Sequence, residues 1–184
     1  GYTVGAITLL TFNASKKDSI SPSSTFGLIG MYSENKSWGG VGFGSFYLNE
    51  DRWRMILAAG LGDVNSQFYA TNPINKWFKY KTEGNFIFAS VNRRIISKLY
   101  GGLNYVYSTF KNNTEYDTEE TDPVLLQGLG IEFSWDQRGS VQYPRNGYYL
   151  EADLMTYPSF FGNNNESSLL SFIYNHYYPA RNNT

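Results

Sequence analysis

Hydrophobic and polar positions alternate along this chain with a period of two, and no segment carries the 3.6-residue period of a helix. The clearest stretch covers residues 125–135. Leu125, Leu129, Ile131, Phe133 and Trp135 share one face with Gln127, and Gly128, Gly130, Glu132, Ser134 and Asp136 occupy the other. Successive side chains of a strand point to opposite sides of a sheet, so this pattern predicts one greasy face and one small, polar face. The alternation recurs over residues 148–155, 99–107 and 53–61, where Ile56 alone breaks the rule. Less regular strands are expected over residues 3–13, 25–33, 41–48, 79–91 and 169–178. Asn49-Glu50-Asp51 marks a tight hairpin and Ser21-Pro22-Ser23-Ser24 a loop. Longer polar loops are expected over residues 63–76, 111–122 and 162–166. No linker or heptad interrupts the pattern, so residues 1–184 form one all-β domain.

Several expected strands approach the 9–11 residues that cross a bilayer obliquely, beyond the 5–6 usual in globular sheets. Their polar faces hold glycines and carboxylates, too sparse to fill a dry core. Composition sharpens this. The chain is 18% aromatic with a mean hydropathy of −0.41, and it lacks the run of about 18 apolar residues that a membrane helix needs. Such a chain suits an antiparallel transmembrane β-barrel; a soluble β-sandwich or lipocalin-like barrel is the alternative. Trp38, Trp53, Trp77, Trp135, Tyr149 and Tyr157 fall near expected strand ends, where amphipathic rings form interfacial girdles. A formal charge of −1 offers no basic field for nucleic acid, and the absence of cysteine removes disulfides and thiolate metal sites.

Catalytic chemistry is not legible. His176, the one histidine, sits among Asn175, Tyr177 and Tyr178 without a nucleophile or orienting carboxylate in its pattern. The acidic run Glu115, Asp117, Glu119, Glu120 and Asp122 lacks the glycine and regular ligand spacing of a calcium loop. Gly42-Phe43-Gly44 and Gly60-Leu61-Gly62 lie inside strands, where they serve curvature or close packing rather than phosphate binding. No enzyme activity, cofactor or metal is expected.

One stretch is more specific than composition. From Gly128 to Leu150, Trp135, Asp136, Arg138, Pro144 and Gly147 form an aromatic–Asp–x–Arg … Pro–x–x–Gly hairpin. Pro144 fixes φ, Gly147 can take positive φ, and Asp136 with Arg138 can lock the turn. The hairpin resembles that of the bacterial surface antigen family (the Omp-eighty-five superfamily), which holds the barrels of BamA- and TamA-type outer-membrane assembly factors and two-partner secretion translocators. Ser21-Pro22, the Asp51–Arg54 stretch and the segment from Lys98 to Tyr105 are similar too. The resemblance implies a location in the bacterial outer membrane and a fragment of about 8–10 strands from a 16-stranded barrel, incomplete at both ends. It also implies this turn on the periplasmic rim and insertion or translocation of β-rich polypeptides. The partners implied are outer-membrane lipid, client polypeptides and accessory envelope proteins. The family's Arg-Gly-aromatic motif is absent from these residues. A complete eight-stranded structural or lipid-binding barrel, and the barrel anchor of a patatin-like secreted lipase, remain alternatives.

Overall fold

A computed structural model describes residues 1–71, 75–114 and 122–179. They form one sheet of nine antiparallel strands in chain order: β1 (Thr3–Phe12), β2 (Ser24–Ser33), β3 (Trp38–Leu48), β4 (Trp53–Ala70), β5 (Lys76–Ile96), β6 (Leu99–Thr114), β7 (Val124–Asp136), β8 (Gly147–Tyr157) and β9 (Ser167–Tyr177). A 3-10 turn, Ser159–Phe161, is the one helical element among the described residues. Every strand pairs with its sequence neighbours only, and β1 and β9 are open edges. The sheet is all-β as expected, and it is not closed.

The sequence placed loops at 63–76 and 111–122, and there the structure differs. β4 runs on to Ala70, β5 begins at Lys76 and β6 reaches Thr114. Both faces of these extensions mix polar and aromatic residues, so the period-two signal fades although the ladder does not. Cross-strand contacts hold the β4–β5 arm together. Lys81 pairs with Asp63 (3.1 Å) and Glu83, Phe68 stacks on Phe78 (5.2 Å), and Tyr69 meets Trp77 (5.3 Å).

Register shows which residues share a face. Leu57, Ala89, Tyr105 and Leu129 lie in one row, and Ile56, Ser90, Asn104 and Gly130 in the adjacent row on the opposite face. Ile56, the exception in the sequence pattern, therefore lies among small polar groups. Arg54 of β4 reaches Asp136 of β7 on this second face across the two intervening strands, so this face is concave. The convex face is apolar over much of its area. Leu61 is 58% exposed, Leu103 64% and Phe172 72%, while Tyr100 and Met155 are the only hydrophobic residues fully buried among the described ones. The described sheet thus has no dry core on either side. Among the described residues no helix is long and apolar enough to cross a membrane.

Candidate functional site

The connections β1–β2, β3–β4, β5–β6 and β7–β8 gather at one end of the sheet, where the sequence-predicted turn becomes part of a larger lock. Asn49, Glu50 and Asp51 follow one another at φ of 55°, 57° and 59°, a left-handed turn that points successive amides outward. The β1–β2 loop satisfies two of them. Asp18 Oδ2 accepts the Glu50 amide (2.8 Å), and Ser21 Oγ accepts that of Asp51 (2.7 Å). The Ser21 hydroxyl, and then backbone amides, hold the Asp18 carboxyl well below the usual carboxylate range.

The turn presents Asp51 to Arg54, whose guanidinium donates to both carboxylate oxygens at 2.8 Å and, through Nη1, to Asp136 Oδ2 at 2.6 Å. Arg138 grips the same Asp136 in bidentate fashion, at 2.8 and 2.9 Å. The pairing with Asp136 raises the Arg138 pKa further. Asp136 is only 2% exposed. Aromatic rings sandwich the cations: Tyr100 lies 3.9 Å from Arg54 and donates its hydroxyl to Asp51 (2.5 Å), and Tyr149 lies 4.5 Å from Arg138. An alternating chain of two carboxylates and two guanidiniums therefore ties the β3–β4 turn to the β7–β8 loop. The loop also reaches across the concave face, where Gln142 Nε2 donates to the carbonyl of Ser23 (3.0 Å).

Gln137 N–H to the Tyr148 carbonyl (2.8 Å) and Gly139 N–H to that of Asn146 (3.1 Å) close the β7–β8 loop. Gly147 leaves it at φ +93°, and a Cβ there would sit 2.1 Å from the Gln137 carbonyl oxygen. Gly147→Ala is therefore expected to cost about 1–3 kcal/mol, read as a lower denaturant midpoint of the full-length protein. The sequence singled out Asp136, Arg138 and Gly147 here. Pro144 is half-buried in the loop. Arg54 as a partner of Asp136, with Asp51 and Tyr100 behind it, was missed, although a lone arginine on the polar side of an otherwise apolar strand was the signal.

Deeper on the concave face lies a hollow of about 540 Å³ lined by Ser90, Asn92, Asn104, Glu132, Glu151 and Asp153, among others. Asn92 leans over Gly102 to donate to Glu132 (3.1 Å), and Asn104 donates to Asp153 (2.5 Å) across Gly130. The glycines make these reaches possible: a Cβ on Gly102 would meet Asn92 Oδ1 at 2.1 Å. Among the described residues no group of three His, Cys, Asp or Glu is arranged to hold a metal ion.

The expected girdle residues separate. Trp38, Trp53 and Trp135 lie on the convex face, Trp38 donating to Asp63 (3.2 Å). Tyr149 and Tyr157 do not belong with them: both sit on the concave side, Tyr149 under Arg138 with its hydroxyl on Glu151, and Tyr157 over Gly128. Parity along β8 puts them opposite Leu150 and Leu154. Trp77 is on the convex side but near the end of the β4–β5 arm against Tyr69, away from the rows of the other tryptophans. His176 accepts or donates through Nδ1 to the Tyr174 hydroxyl (2.9 Å) and stacks on Tyr178 (4.2 Å), with no nucleophile beside it among the described residues. Glu115, Asp117, Glu119 and Glu120 lie outside the described residues. No family model matches the chain, and no curated protein or solved structure is significantly similar to it.

Proposed function

We propose that this sheet is part of the wall of a bacterial outer-membrane β-barrel, of the class that inserts or translocates β-rich polypeptides. The spacing of the convex face carries the membrane part of the reading. On β4, Met55, Leu57, Ala59 and Leu61 face outward between Trp53 and Asp63, the partner of Trp38. That interval is about 33 Å along a strand and about 25 Å along the normal at a tilt near 40°, the height of the apolar band of such barrels. Beyond Asp63 the outward apolar run ends: Asn65, Ser66 and Gln67 put polar groups on both faces before the aromatic contacts of Phe68 with Phe78 and Tyr69 with Trp77.

The transport part rests on the Trp135–Gly147 hairpin, which resembles that of the assembly-factor family. A closed eight-stranded barrel would pair β8 with β1, whereas β8 pairs with β9 along its whole length. No residue of the described chain serves as a catalyst in this reading. Depletion of the full-length protein in its own cells, followed by quantitative profiling of the outer membrane, tests it. Loss of other β-barrel proteins is expected; unchanged levels would leave a passive barrel or an enzyme anchor.

A further inference from the structure

Charge is distributed unevenly between the two ends of the sheet. At the end bearing the β1–β2, β3–β4, β5–β6 and β7–β8 connections, Lys16, Lys17, Arg52, Arg93, Lys98 and Arg145 are all exposed, and none forms an ion pair among the described residues. The acids of this rim offset them only in part: Asp51 and Asp136 are paired with Arg54 and Arg138, which leaves the carboxylates of Asp18, hydrogen-bonded to Ser21 and the Glu50 amide, and of exposed Glu50 against six cations. At the other end Lys81 is met by Asp63 and Glu83. A net charge near zero therefore conceals a strongly cationic rim.

The position of the cations identifies what they face. Arg93 lies 5.4 Å over the ring of Trp53, on the convex side where the apolar belt begins. Arg52 adjoins the same tryptophan in sequence. A tryptophan capped by arginine at the border of an apolar band is the arrangement that meets lipid phosphates. Resting on the membrane reading above, we propose that this rim binds the headgroups of anionic phospholipids in the leaflet it borders. The lock at Asp136 contributes by pairing two of the rim's carboxylates internally, so the exposed cations outnumber the Asp18 and Glu50 carboxylates left to oppose them.

The test uses the full-length protein reconstituted in phosphatidylcholine vesicles containing a fixed fraction of phosphatidylglycerol. Quenching of intrinsic tryptophan fluorescence is compared for dibrominated phosphatidylglycerol and dibrominated phosphatidylcholine at equal mole fraction. An apparent preference of about fivefold or more for the anionic lipid is expected, falling toward one at high salt. The variant Lys16→Gln/Lys17→Gln/Arg52→Gln/Arg145→Gln is expected to lose most of that preference. Among the described residues these four side chains make no hydrogen bond or ion pair, and retained resistance to unfolding checks that folding does not need them. Lys36→Gln, at the opposite end, should leave the preference unchanged. A ratio of one in the unaltered protein, or a preference undiminished in the fourfold variant, overturns the proposal. Indifference to the anionic lipid together with retention on immobilised polyglutamate through the same four residues would reassign the rim to an acidic protein. Failure to enter vesicles of either lipid would instead strike the membrane reading itself.

Discussion

Asp136→Ala is expected to cost the folded protein about 3–5 kcal/mol, the range for removing one partner of a buried ion pair. Asp136 is the shared anion of two guanidiniums that are themselves only 15% exposed. Its loss leaves Arg138 with no carboxylate and Arg54 with Asp51 alone. The β3–β4 turn and the β7–β8 loop then lose the bridge between them. Equilibrium urea unfolding of the full-length protein in lipid measures the change. A loss below about 1 kcal/mol, as for an exposed surface pair, would mean that the lock is ornamental. Arg54→Ala should be costly for the same reason, yet milder at Asp136, which would keep the bidentate grip of Arg138.

The second large effect distinguishes lipid from water. Leu57 lies on the convex face midway between Trp53 and Leu61 and is 41% exposed. On a water-exposed sheet, Leu57→Arg would fall within about ±0.5 kcal/mol, since a partly exposed surface position tolerates most side chains. At the midplane of a bilayer the same substitution costs about 2–4 kcal/mol. The measured destabilisation in phospholipid vesicles is expected in the higher range. Lys or Arg at Asn65, on the polar extension of β4, should cost little by comparison.

Much of the sheet was legible because alternation is a property of a strand with one apolar face. Where that contrast was strong, as in β7 with Ile131, Phe133 and Trp135 against Glu132, Ser134 and Asp136, the strand and its facing both followed. Where both faces were polar, as along Asn65, Ser66 and Gln67, ladder hydrogen bonds continued without any sequence signal. The girdle assignment erred at Tyr149 and Tyr157 because proximity to a strand end was weighed and parity was not. In the site, the Asp136–Arg138 pair is local and its spacing suggested it. The pairing of Arg54 with Asp136 joins strands that are distant in sequence, and only the curl of the sheet brings them together.

A cysteine scan of β4 tests the central claim most directly, since none of these 184 residues is a cysteine. Single cysteines at Met55, Leu57, Ala59 and Leu61, and at the concave positions Ile56 and Ala58, would be challenged in intact membranes with a charged, membrane-impermeant maleimide. The account predicts that the four convex positions resist the reagent and become reactive only when the membrane is dissolved in detergent and the protein unfolded, whereas the concave positions, and a further single cysteine at Asn65 beyond the belt, are labelled in the intact membrane. Prompt labelling of Leu57 and Ala59 in the intact membrane would place the convex face in water and contradict it.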